Sequence, residues 1–158
     1  YEAVRSKRVE LMDNYVEKNG IEVKSGAKEL LSFLKENGYK VALATATPPQ
    51  RAERYLKAHD LYKYFDVTVS ASMVSVGKPA PDIYLKAAEM LGLSPQNCVA
   101  LEDSPHGIKS ASSAGCVTVM VPDLDKPSND IIPLLHGVAD GLSDVKRILR
   151  ELEDCNIQ

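Results

Sequence analysis

The sequence contains no tryptophan and only two phenylalanines in 158 residues. The composition is otherwise ordinary, 44% hydrophobic and 26% charged, as in a soluble globular protein. Cysteine is scarce as well: Cys98, Cys116 and Cys155 are too few and too scattered for a disulfide framework, and no C-x-x-C pair offers a zinc site. Cys98 and Cys116 fall in apolar, strand-like runs and read as buried free thiols in a reducing cytoplasm. No apolar run reaches the roughly 18 residues needed to span a bilayer, so no membrane partner is expected. An excess of one charge is also missing. Nineteen Lys and Arg stand against 22 Asp and Glu, a net charge of −3. Such a chain has no global field to gather nucleic acid, and an anionic ligand must be held by a local site. No period of 20–50 residues marks a repeat array.

What the chain does have is alternation. Val4, Leu11, Tyr15 and Val9, Met12, Val16 recur at helical spacing, predicting an amphipathic helix over residues 1–19 that ends at Asn19-Gly20. Residues 21–26 read as an extended connector, and 27–37 as a helix stopped by Gly38. Strands are predicted at 39–47, 66–70, 98–101 and 116–121, with a short last one at 138–139. Helices are predicted at 49–59, 81–91, 104–114 and, capped by Ser143, up to Leu152. Strands alternating with helices predict an α/β fold, a three-layer, Rossmann-like parallel sheet with helices on both faces. Right-handed crossovers would bring the carboxyl ends of the strands to one edge, where open sheets of this kind bind ligands.

The stretch around which this edge is organised is Cys98-Val99-Ala100-Leu101-Glu102-Asp103-Ser104-Pro105. Two adjacent carboxylates end a short apolar strand expected to be buried on both faces. Ser104 and Pro105 then open a helix, one as cap and the other at the first helical position, where a missing N–H is no loss. Neighbouring acids there repel unless a cation holds them, and a hard divalent ion such as Mg2+ suits them. The same edge collects Thr45 and Thr47 from one strand end and Lys78 from another. Pro79 forces Lys78 into extended backbone and Pro81 pins the next turn. A hydroxyl, backbone N–H groups, an ammonium and a carboxylate-held metal together could position and neutralise a phosphoryl group.

The order Ala42-Leu43-Ala44-Thr45-Ala46-Thr47, then Gly77-Lys78-Pro79-Ala80-Pro81-Asp82, then Leu101-Glu102-Asp103-Ser104-Pro105-His106-Gly107-Ile108 resembles the haloacid dehalogenase superfamily. It is most similar to the branch that holds β-phosphoglucomutase and sugar-phosphate phosphatases. The resemblance implies Thr45 as the hydroxyl on the transferring phosphoryl, with Ala46 and Thr47 in the phosphate-facing turn. It implies Lys78 as the lysine that pairs nucleophile and phosphoryl oxygens, and Glu102 and Asp103 as the acids that hold Mg2+. Residues 1–20 then resemble the last helix of a small helical cap, Ile21 to Ser25 its second hinge strand, and residues 21–158 the α/β core.

The family's first motif, an Asp-x-Asp whose first member is the nucleophile, has no counterpart. Asp123-Leu124-Asp125 has the spacing, yet it follows the fifth-strand candidate and precedes a proline, so it reads as a loop. In the family the missing strand lies between the Thr45 strand and the Asp103 strand. Its loss predicts either a fragment of a longer protein or direct pairing of those two strands. Three functions stand at this point. One is a parent phosphatase of a small phosphorylated metabolite, with this chain alone inactive. Another is a mutase of the β-phosphoglucomutase type, disfavoured because Pro48 stands where mutases tend to place a basic residue. The last is a non-catalytic phosphate-binding or interaction fragment. A receiver-like signalling domain fits poorly, because receivers carry their acid pair on the first strand. Val9, Met12 and Val16 would face the missing part, so self-association through that surface is expected.

Overall fold

In the computed structural model of the chain, the residues described are 2–156, without the side chains of Glu2, Ala3, Arg5, Arg8, Glu17, Cys155 and Asn156. Of the two thiols expected to be buried, Cys116 is buried and Cys98 is half-buried. The elements are α1 (Glu2–Asn19), α2 (Ala27–Glu36), β1 (Ala42–Thr45), α3 (Pro49–Ala58), β2 (Val67–Ser70), α4 (Asp82–Leu91), β3 (Val99–Glu102), α5 (Pro105–Ala114), β4 (Val117–Met120), β5 (Gly137–Val138) and α6 (Val145–Asn156). Among the described residues no helix is long and apolar enough to cross a membrane.

The alternation predicted from sequence is present, with every strand pairing parallel. The strands form two sheets rather than one: β1 pairs with β2, and β3 with β4, which pairs with β5. The inner edges of β1 and β3 do not pair with each other, so the alternative of direct pairing does not occur. Ladder hydrogen bonds need strands about 4.8 Å apart, and nothing in this sequence supplies a strand to bring them together.

Helices cover both faces. Ile83, Tyr84 and Ala87 of α4 and Ala111 and Ala114 of α5 pack with Val69 and Ala100. On the opposite face Leu30 of α2 and Val145, Ile148 and Leu149 of α6 pack with Val119 and Val121. Ile108, Met120 and Ile131 close a third cluster beneath the long 121–136 segment.

Three local expectations are corrected. No strand forms over Ile21 to Ser25, where the chain is irregular between α1 and α2. Val99 at the head of β3 is 36% exposed, so that strand is not buried on both faces throughout. The last helix begins at Val145, directly after Asp144, rather than behind Ser143, and runs past Leu152. Helix α1 forms as expected, but Val4, Leu11, Met12 and Tyr15 are each more than half exposed, so its apolar spacing does not correspond to a buried stripe. Asp123-Leu124-Asp125 is a loop, with Leu124 almost wholly exposed and Asp123 in an ion pair with Lys24 at 3.2 Å.

Candidate functional site

Strand β1 ends at Thr45, and the chain turns sharply through Ala46 and Thr47 before Pro48 and Pro49 start α3. The Thr45 Oγ1 accepts a hydrogen bond from the Thr47 N–H at 3.1 Å, which fixes the turn. A threonine hydroxyl has one proton to give, so Thr45 keeps its O–H for an incoming oxygen. The turn is held from the next strand as well. Ser70, at the end of β2 and 1% exposed, donates its hydroxyl to the Thr47 carbonyl at 3.1 Å.

Lys78 crosses the space between the two sheets. Its ammonium is in contact with the Glu102 carboxylate. It also lies 3.5 Å from the Ala44 carbonyl, one residue before Thr45. The side chain is 21% exposed and that of Glu102 6%. A pair this enclosed needs further hydrogen bonds to offset the lost hydration. Tyr84 of α4 supplies one, donating its phenol to the same Glu102 oxygen. Its ring also lies beneath the ammonium, 5.0 Å from centroid to Nζ. Burial first, and then the Glu102 charge, push the Tyr84 phenol well above its ordinary pKa, so it stays a proton donor. The other Glu102 oxygen lies 3.4 Å from the Ser104 hydroxyl.

Helix α5 braces the arrangement. Ser104 caps it as predicted, accepting from the Gly107 N–H at 3.1 Å. Gly107 leaves room for Glu102, because a Cβ at this position would overlap the carboxylate. One turn further on, the buried Ser110 donates to the Ala80 carbonyl at 2.6 Å and holds the Lys78-Pro79-Ala80-Pro81 segment. The Lys78–Pro79 bond in that segment is cis. The structure thus joins Lys78 to Glu102 and sets its ammonium 3.5 Å from the Ala44 carbonyl, the residue before Thr45, with the exposed Asp103 next after Glu102. Sequence reasoning missed Tyr84, Ser70, Gly107 and Ser110. Only Gly107 carried a signal, as a glycine inside the first turn of a helix.

Oxygen donors such as Glu102 and Asp103 suit Mg2+, which is bound through one or two carboxylates plus waters and substrate phosphates. The Glu102 Oε1 is already taken up by Lys78 and Tyr84, while Asp103 is exposed. No group of three or more His, Cys, Asp or Glu residues capable of holding a metal occurs among the described residues. The donor set fits part of a Mg2+ site, with further ligands to come from elsewhere. His106, beside the acids, is exposed and contributes no contact to the site.

The family profile described as haloacid dehalogenase-like hydrolase matches residues 2–115. The chain is 40% identical over 124 residues to a phosphorylated carbohydrates phosphatase of Thermotoga maritima, covering 78% of this chain and 50% of that protein. It is 39% identical over 97 residues to hexitol phosphatase B of Escherichia coli, covering 61% of this chain and 44% of the relative. The structure superimposes on β-phosphoglucomutase of Clostridium difficile with a TM-score of 0.73 at 25% identity, covering 86% of this chain and 59% of that one. The chain therefore spans about half the length of the curated relatives it matches.

Proposed function

Because the chain belongs to the haloacid dehalogenase-like hydrolase family, we propose that it is part of a Mg2+-dependent phosphatase acting on a small phosphorylated carbohydrate. Residues 1–20 are then the end of a helical cap and 21–158 the α/β core. The nucleophilic Asp comes from a strand outside this chain that fills the space between β1 and β3. In this reading that Asp attacks phosphorus while the second Asp of the same motif gives its proton to the departing sugar oxygen, and the second Asp then takes a proton from the water that hydrolyses the aspartyl-phosphate. The residues present here position and neutralise. The Thr45 O–H and the Ala46 N–H hold one phosphoryl oxygen, in a turn that the Thr47 N–H fixes through the Thr45 Oγ1, and the Lys78 ammonium faces another. Asp103 would hold Mg2+ together with the Glu102 Oε2, the oxygen that Lys78 and Tyr84 leave free, and the ion's charge would stabilise the remaining oxygens.

The observation that carries this reading is Lys78, which touches Glu102 on one sheet and reaches Ala44, beside Thr45, on the other. The carbohydrate preference is supported by the phosphatases named above. In the full-length protein, Lys78→Ala should lower kcat for p-nitrophenyl phosphate by at least a hundredfold, with an unchanged far-UV CD spectrum. Near-normal kcat with lowered stability would make Lys78 a structural residue and overturn the proposal. Residues 1–158 alone should release no phosphate, and robust release would mean that the nucleophile lies in this chain. The likeness to β-phosphoglucomutase keeps a mutase in view, and Pro48 argues against it. Incubation with β-glucose 1-phosphate separates the two, because a phosphatase yields inorganic phosphate and a mutase glucose 6-phosphate.

A further inference from the structure

Cys98 and Cys116 each stand one residue before a strand, β3 and β4. Those strands pair parallel with Val99 opposite Val117, so the same register sets Cys98 opposite Cys116. The Cys98 carbonyl accepts from the Val117 N–H at 3.0 Å, which carries the ladder back to this position. Residues opposite one another in parallel strands direct their side chains to the same face. Both thiols accordingly lie in the cluster covered by α4 and α5, Cys116 in its interior and Cys98 at its margin. The turns ahead of the two strands also meet, because a Cβ on Gly115 would stand 3.2 Å from the Gln96 Nε2.

Neighbouring strands run about 4.8 Å apart, and disulfides join Cα atoms about 4.4–6.8 Å apart. Their Cβ atoms stand about 3.5–4.5 Å apart, so closure draws the two side chains slightly together. The backbone at this point is free to follow, since both residues precede the regular strands. Cys98 is held by its own turn, its N–H donating to the Pro95 carbonyl at 2.9 Å, and the Cys116 N–H donates to the Ala111 carbonyl at 3.1 Å. The Cys98 thiol donates to the Ser94 carbonyl at 3.4 Å. A thiol is a weak donor, so turning it toward Cys116 forfeits little.

We propose that Cys98 and Cys116 form a modification site, a thiol pair that a small disulfide such as oxidised glutathione closes to a reversible cross-strand disulfide. The site lies at the amino ends of β3 and β4, away from Glu102 at the carboxyl end of β3, and it stands whether or not the phosphatase reading does. The thiolate of the half-buried Cys98 attacks oxidised glutathione, forming a mixed disulfide and releasing one glutathione thiolate. The Cys116 thiolate then attacks the Cys98 sulfur and releases the second. The two cysteine protons end on the two glutathione thiolates, and the two electrons lost by the protein reduce one glutathione disulfide. Closure makes residues 98–116 a loop that contains β3 and α5 and restricts the unfolded chain. Burial raises both thiol pKa values, Cys116 to about 11, so exchange is slow at neutral pH and quickens as the pH rises.

The test uses the full-length protein with Cys155→Ser, which leaves Cys98 and Cys116 as the thiols of this stretch. The native protein is equilibrated with reduced and oxidised glutathione at pH 8, then unfolded in N-ethylmaleimide and digested with trypsin. Trypsin cuts after Lys109, between the two cysteines, so a joined peptide pair in the mass spectrum reports the bond directly. The pair should vanish with dithiothreitol and be absent from Cys98→Ser. Its equilibrium constant against glutathione should be at least tenfold larger in the native protein than in the same chain unfolded in urea. Oxidation should raise Tm by about 5 °C, and reduction should reverse the shift. A native equilibrium constant no larger than that of the unfolded chain overturns the proposal, as does an unchanged or lowered Tm in the linked protein. Recovery of Cys98 as a glutathione adduct with Cys116 still alkylated overturns it too, since the two sulfurs would then not meet. These readouts use a chain that keeps both cysteines, so instability of Cys98→Ser does not blunt them.

Discussion

Helices α1 and α6 stand at opposite ends of the chain and make opposite use of their apolar residues. In α6, Val145, Ile148 and Leu149 recur at three- and four-residue spacing and are at most 6% exposed, packed against α2, β4 and the segment after β5. In α1, Val4, Leu11, Met12 and Tyr15 also recur at helical spacing, and all are more than half exposed. Its described polar tie to the core is the Asp13–Arg51 pair. Periodicity therefore establishes that a segment is helical, but burial depends on whether another element is present to receive its face.

The largest expected effect lies in α6. Ile148→Ala should cost about 2–5 kcal/mol, the range for deleting a buried branched side chain, read from urea denaturation. A much smaller cost would mean that α6 is as loosely seated as α1. Next comes Tyr84→Phe, which removes a donor from the buried Glu102. It should lower stability by about 1.5–3 kcal/mol, as for a hydrogen bond to a charged group, and reduce turnover in the full-length protein.

Cys116 tests the packed region chemically. Burial raises its thiol pKa to about 11, so at pH 8 it should react with iodoacetamide far more slowly than an unfolded control. The sign of the linkage follows from that rise. The stabilising contribution is complete below the unfolded value of about 9 and is lost as the pH climbs toward 11.

A smaller effect is expected at Asp66, whose carboxylate accepts from Lys35 at 2.7 Å and from the Val41 N–H at 2.7 Å. The Lys35 hydrogen bond, and then the Val41 N–H, hold this carboxyl below its usual value of 3.8. The contribution is present above pH 3.8 and fades as the pH falls through the lower, folded-state value. Asp66→Asn should therefore flatten the acid side of a Tm-against-pH curve, modestly, because the pair is more than a third exposed. The smallest effect belongs to Leu11→Ala on α1, within about 0.5 kcal/mol. A cost matching that of Ile148→Ala would show that α1 is covered in solution.

Much of this fold was legible because its signals are local. Ser104 and Pro105 open α5, Gly115 closes it in the left-handed conformation, and strand alternates with helix from β1 to β4. The approach of Lys78 to the acidic strand end could be inferred from topology, since parallel strands deliver their carboxyl ends to one edge. Tyr84 and Ser110 were illegible because their roles depend on three-dimensional neighbours. One reads as an ordinary inward-facing aromatic of α4 and the other as a small residue in a run of serines and alanines. The split into two sheets follows from a strand the sequence does not supply, and the exposure of α1 from the absence of a described element against its apolar face.

Helix α5 carries a consequence of its own. Ser104, Gly107 and Ser110 follow one another at three-residue intervals, so a single rigid rod sets both the carboxylate and the loop bearing the ammonium. If α5 tilts or slides, the opposite charges travel with it as a jig carries its clamps. Their spacing is thereby insulated from whatever enters or leaves between the two sheets.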